Sequence, residues 1–153
     1  MKTITAVFLL TAMLAFTANT QAQNNNYDSA LAKKLQADDY GMKSYVFALL
    51  KKGSANITDK KMLDSIFHGH MVNIKRLAAE NKLLLAGPMG DNDKGYEGIF
   101  VFNTSSVDEA KQWLSTDPAI ISKDLDAELY PWYCTAALQE IPALHQQVQK
   151  KSY

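Results

Sequence analysis

The stretch YVFALL, Tyr45 to Leu50, decides how this 153-residue chain folds. Six β-forming or apolar residues stand in an unbroken row, with lysines and Gly53 closing the far end, which is the pattern of a strand. No position in the row is polar, so both faces of the sheet need cover at this strand.

Outward from that strand the chain alternates regularly. Thr58 is placed to cap a long helix running to about Glu80. Its stripe at helical spacing is Leu63, Ile66, Phe67, Met71, Ile74, Leu77 and Ala78, and Asn81 closes it. Leu83 to Ala86 is a second strand, stopped by Gly87-Pro88; Met89 to Gly95 is a polar loop, and Tyr96 to Phe102 a third strand. Ser106 with Glu109 three positions on is a capping box, opening a second helix through about Leu114. Asp117-Pro118 starts a further short helical turn. Glu128 to Leu138 reads as the fourth strand, and Pro131 within it requires an edge, a bulge or a late start. The order β-α-β-β-α-β is the split βαβ arrangement of an α+β, ferredoxin-like domain with a four-stranded antiparallel sheet.

In that arrangement both helices lie on one sheet face. The simplest cover for the other face is a second copy, sheet against sheet, giving a homodimer; a terminal helix folding over it is the alternative. Such helices are available. Asp28 is a cap for a short helix through Gln36, with Leu31 and Leu35 on one side and Gly41 as its end, and Pro142 opens a last helix to Lys150. The domain proper then covers residues 44–138, between a 23–43 extension and a 139–153 helical tail.

Residues 1–22 stand apart. Lys2 gives a positive start, Ala6 to Phe16 is apolar, and Thr20-Gln21-Ala22 places small residues for cleavage before Gln23, the layout of a secretory signal peptide. The apolar run is too short to span a membrane, and no cysteine follows it to take a lipid. Cleavage of 22 residues leaves 131, with 15 basic and 16 acidic side chains, a formal charge of −1. Without a basic stripe the chain lacks what a nucleic-acid partner requires. The expected location is periplasmic or secreted. The lone Cys134, inside an apolar run, reads as a small buried hydrophobe.

Three histidines carry the chemical options. At about 100° per residue, His70 falls inside the apolar stripe, His68 points off it, and His145 lies in a polar C-terminal segment. His70 is therefore either a satisfied core histidine or a general acid or base, the usual work of a half-buried imidazole. A base needs an orienting carboxylate, and Asp117 is the candidate, although an Asp before Pro is also an ordinary helix cap. His68 and His70 diverge by about 200° around the helix and cannot share a metal ion. Asp91 to Gly95 resembles a calcium loop only faintly, lacking the terminal glutamate, and reads as a solvated turn. No phosphate-binding glycine loop and no Gly-x-Ser-x-Gly elbow is present.

Two motifs together resemble the YCII-related family. One is HMVNIKRLAAENKLLLAGPM, His70 to Met89; the other is SVDEAKQW, Ser106 to Trp113, followed by Asp117-Pro118 and the aromatic Trp132. The likeness covers about Ser44 to Leu138. It implies a dimeric α/β-barrel version of the ferredoxin-like fold, with His70 and Asp117 as the active-site pair and no metal or organic cofactor. Family members with an assigned activity look like lyases that eliminate chloride from a chlorinated ring. This chain departs from the pattern in its export signal, its terminal helices, and Ala119 where an aromatic residue often follows the proline.

The leading expectation is a small-molecule enzyme of the lyase type, with His70 moving a proton and Asp117 fixing its tautomer. A non-catalytic envelope protein holding a small apolar ligand is the alternative, with Trp113, Trp132, Tyr130 and Tyr133 available to line its pocket. A cofactor-free oxygenase is a third. The enzyme readings need His70 and Asp117 within hydrogen-bond reach, or one water apart, beside a cavity open to solvent; a pair separated by packed side chains favours the binder.

Overall fold

A computed structural model describes residues 26–151. The signal peptide expected at residues 1–22 lies outside the described residues. Four antiparallel strands form one sheet: β1 (Met42–Lys52), β2 (Leu83–Pro88), β3 (Tyr96–Phe102) and β4 (Leu125–Thr135). Their spatial order is β2-β3-β1-β4. Between β1 and β2 the chain crosses through α2 (Lys60–Ala79). Between β3 and β4 it crosses through α3 (Val107–Leu114) and the short α4 (Pro118–Ile121). That connectivity is the ferredoxin-like α+β topology.

The strand positions follow from what each segment can pair and bury. β1, the most apolar strand, takes a central place and pairs with β3 on one side and β4 on the other. β4 lies at the edge, where Pro131, opposite Val46, needs no partner for the N–H it lacks. On the helix-covered face Val46, Ala48 and Leu50 meet Phe100, Phe102, Leu77 and Leu114 in the main core.

The other face is covered at one end. Tyr45, Leu84 and Val101 form a second buried cluster, and Cys134 and Leu138 pack against it. Leu138 belongs to a 3₁₀ turn, Ala136–Glu140, that leads into α5 (Ile141–Val148). Tyr45 and Val46 point to opposite faces and both are fully buried, the two-sided cover that the YVFALL row requires. The terminal-helix alternative is thus realised in part. Beyond it, Phe47, Leu49 and Ile99 are only half-buried, and Trp132 and Tyr130 stand exposed.

The N-terminal helix α1 (Ser29–Lys34), capped by Asp28, is tied to that cover. Gln139 Nε2 donates to the Leu35 carbonyl at 2.6 Å, and Lys34 Nζ lies 2.8 Å from Glu140. Lys43 reaches Gln139 and Asn103, both at 3.1 Å. Burial pushes its ammonium below the usual lysine range. Asp38 accepts the Tyr133 hydroxyl and the Met42 and Tyr40 amides, which together hold its carboxyl below the ordinary value.

Several expectations shift. Asp59, not Thr58, caps α2, accepting the Lys61 amide at 2.8 Å. Gln36, at φ 54°, ends α1 where Gly41 was expected, because the Gln36 and Ala37 amides close a Schellman turn onto Lys33 and Ala32. Asn81, at φ 55°, closes α2 in the same manner. The capping box is modified: Ser106 accepts the Glu109 amide, but the Glu109 carboxylate takes the Thr104 hydroxyl instead. β4 begins three residues before Glu128 and stops at Thr135, whose side chain caps the 3₁₀ turn. Phe67, 65% exposed, and Ala78 fall off the buried stripe. That stripe centres instead on Ile66, Asn73 and Leu77.

Candidate active site

His70 lies on the sheet side of α2, one helical turn from Ile66 and from Asn73. Its ring stacks on Phe100 of β3, centroids 5.9 Å apart and planes 18° apart. The apolar floor fixes the ring plane, and α2 fixes its origin.

The turn after α3 supplies the carboxylate. Asp117 is 0% exposed, with both oxygens facing the imidazole: Nδ1 lies 2.8 Å from Oδ2 and 3.0 Å from Oδ1. Asp117 also caps α4, because Oδ1 accepts the Ala119 amide at 2.9 Å. The two roles weighed against each other in the sequence coexist, since a carboxylate has lone pairs for several donors. Asn73, 5% exposed, adds its Nδ2 at 3.4 Å from Oδ2.

This leaves His70 Nε2. With Asp117 accepting, Nδ1 carries a proton and Nε2 of the neutral ring is the free base nitrogen. Among the described residues no buried side-chain nitrogen or oxygen lacks a hydrogen-bond partner, and Nε2 has none there. Nε2 therefore belongs to the 13% of the His70 side chain that solvent reaches. Asp117 is sealed and acts only through the ring. The arrangement can take up or deliver a proton at a single atom, with a fixed carboxylate opposite to balance the charge the ring gains.

The close approach of the turn to the helix depends on Gly69. A Cβ at that position would stand 2.8 Å from Pro118 Cγ, inside any normal contact. Mid-helix glycine costs about 1 kcal/mol relative to alanine, so its presence marks the contact it permits. A glycine inside a helical pattern is the sequence signal for this contact, and Asn73, one turn beyond His70 on the same stripe, is the signal for a polar partner; neither is among the candidates expected from the sequence.

The remaining predicted candidates do not join this pair. His68 and His145 are exposed. Trp113 packs on Phe102 beneath the helices, with the Lys82 ammonium 5.6 Å above its ring. Trp132 meets Phe47 edge-on at 5.9 Å on the opposite face, and Tyr130 bonds Glu128 there. Tyr133 goes to Asp38. The four aromatics expected to line one ligand pocket stand on both sides of the sheet and line none together. Asp91 and Asp93 are exposed around Asn92, whose side chain ties the turn through Gly90 and Tyr96. An open groove of about 260 Å³ between Phe67, His68, Met71, Val72 and Lys75 lies on the outer side of α2 and shares no residue with the pair. Among the described residues no three His, Cys, Asp or Glu side chains converge as a metal group.

Fold and geometry together define a ferredoxin-like α+β domain carrying a half-buried histidine on a sealed carboxylate. No family model matches the chain, and no curated protein matches it. A solved structure with some likeness is the 5-chloro-2-hydroxyhydroquinone dehydrochlorinase of Burkholderia phenoliruptrix in complex with 2,5-dihydroxybenzoquinone. It is 20% identical, over 57% of this chain and 92% of that one, with a TM-score of 0.40. So distant a likeness leaves the fold resting on the strand order.

Gly69→Ala tests the close approach. Helix propensity alone would stabilise the protein by about 1 kcal/mol, whereas overpacking against a rigid proline ring costs about 1–3 kcal/mol. Urea denaturation is expected to show a net loss; a stabilised variant would mean that Gly69 is not needed for the approach of Pro118.

Proposed function

We propose that the chain is an exported, YCII-like enzyme that moves a proton on a small organic molecule without a cofactor, His70 Nε2 being the acid–base atom. One observation carries this reading. An inaccessible carboxylate holds Nδ1 at 2.8 Å while the opposite edge of the ring keeps access to solvent.

The reaction class comes from the sequence likeness to the YCII-related family and is an elimination. Nε2 takes a proton from carbon, the electrons of that C–H bond become the new π bond, and the leaving group departs with its bonding pair. The imidazolium, balanced by Asp117, then returns its proton to solvent. Asp117 fixes the tautomer and meets no substrate. The aromatic floor of Phe100 keeps the ring from turning, so that Nε2 stays directed away from the carboxylate.

The functional unit in this reading is a homodimer of the 44–138 domain, released to the periplasm or the medium once residues 1–22 are removed. Support for the second copy comes from the half-buried Phe47, Leu49 and Ile99 beside exposed Trp132 and Tyr130, a continuous apolar strip that the C-terminal turn leaves open.

His70→Ala and wild type are to be compared over a panel of small molecules bearing an acidic C–H next to a leaving group. Loss of general base catalysis predicts a fall in turnover of about 10²–10⁴-fold. Equal turnover in both proteins would end the catalytic assignment.

Native mass spectrometry of protein recovered from the envelope or medium tests the rest. It is expected to read a chain beginning at Gln23 and two copies per particle, with Phe47→Asp giving one. An uncut chain would contradict export, and a monomeric wild type would contradict the dimer.

A further inference from the structure

Three consecutive residues of the α3–α4 turn each dock on α2. Asp117 meets His70, Pro118 lies against Gly69, and Thr116 is gripped from the other side by Arg76. The third contact involves neither His70 nor Asp117. Arg76 Nη2 donates to Thr116 Oγ1 at 2.8 Å across the gap and to Asn73 Oδ1 at 2.8 Å on its own helix. Its Nη1 is held by Glu80 Oε1 at 2.9 Å, and Glu80 in turn by Lys82 at 2.6 Å. Those two cations, Lys82 ahead of Arg76, keep the Glu80 carboxyl below its usual range.

We infer that Arg76 is a positioning residue for the His70–Asp117 pair, stapling the turn to α2 and fixing which way the buried Asn73 amide points. The second effect follows from hydrogen-bond bookkeeping. Asn73 Oδ1 takes the Arg76 donor and lies 3.0 Å from the Thr116 hydroxyl, so the amide cannot flip without facing donors with donors. Its Nδ2 is thereby kept toward Asp117 Oδ2. The Thr116 hydroxyl has a single proton and two acceptors in reach, Asn73 Oδ1 and the Trp113 carbonyl at 2.6 Å. Without Arg76 donating into Thr116, that hydroxyl is tied to α2 only through the one proton for which Asn73 Oδ1 competes with the closer Trp113 carbonyl. The fork geometry of a guanidinium, with several donors in one plane, is what lets one exposed side chain serve Thr116, Asn73 and Glu80 together.

This inference rests on the pair being the acid–base centre for its importance but not for its test, which needs no substrate. Full-length protein labelled with ¹⁵N in its histidines is to be compared as wild type, Arg76→Met and Thr116→Val. The last keeps the side-chain shape and removes only the hydroxyl. The His70 ring nitrogens of wild type are expected to report one neutral tautomer, with the proton on Nδ1. Both variants are expected to show a mixture, the larger one in Arg76→Met, which loses the Asn73 contact as well as the Thr116 contact. Folded variants that keep the wild-type tautomer would overturn the staple. A mixed tautomer in a protein that turns over nothing would uphold the staple and end the enzyme reading; an active enzyme whose tautomer ignores both substitutions would do the reverse.

Discussion

A carboxylate cut off from water has to find its compensation inside the protein, and Asp117 imposes that requirement on everything around it. Leaving such a charge buried without its partner costs about 3–5 kcal/mol, a large part of a small domain's stability. Three donors meet the requirement: the His70 ring, the Ala119 amide and, at longer range, Asn73. Each donor constrains a different element. The ring requires α2 to pass close, the amide requires a helix to begin right after the aspartate, and Asn73 requires a polar residue in an otherwise apolar stripe. The glycine at 69, the proline at 118 and the break between α3 and α4 all serve these geometric demands.

The sheet sets the distance over which this happens. With β1 central and both crossovers on one face, α2 and the α3–α4 turn share that face, and β3 passes beneath them with Phe100 under the ring. A pair 47 residues apart in the chain thus becomes a single hydrogen-bonded unit. The opposite face is organised independently. Tyr45 is sealed by the segment after β4, which the N-terminal helix clamps through Leu35 and Lys34. The apolar strip further along that strand stays available for a partner surface.

The elements were legible in the sequence because their signals are local. The YVFALL row, the Ser106 cap, the Asn81 stop and the edge proline all landed on the elements they marked, and His70 and Asp117 were both singled out from residue type and periodicity. The misses came from contacts between distant segments. Phe67 and Ala78 fit the helical period, but the stripe's centre is decided by which face meets the turn, and a buried Asn73 shifts it away from them. The end of β4 was set by a side-chain cap at Thr135 that competes with strand pairing for the same backbone. The aromatic residues near the C-terminus looked like one pocket because they are neighbours in sequence, yet alternation along a strand sends neighbours to opposite faces. Arg76 looked like an ordinary surface charge, and only the fold brings Thr116 within its reach.

The short contact between Asp117 and His70 Nδ1 predicts a proton held on Nδ1, which leaves Nε2 as the free nitrogen of the ring. A proton NMR spectrum in water reads it directly. The wild type is expected to show a downfield ring N–H of His70, protected from exchange, that disappears in a folded Asp117→Ala variant. A spectrum without that resonance, or one in which it survives the loss of the carboxylate, would mean that Asp117 does not hold the Nδ1 proton.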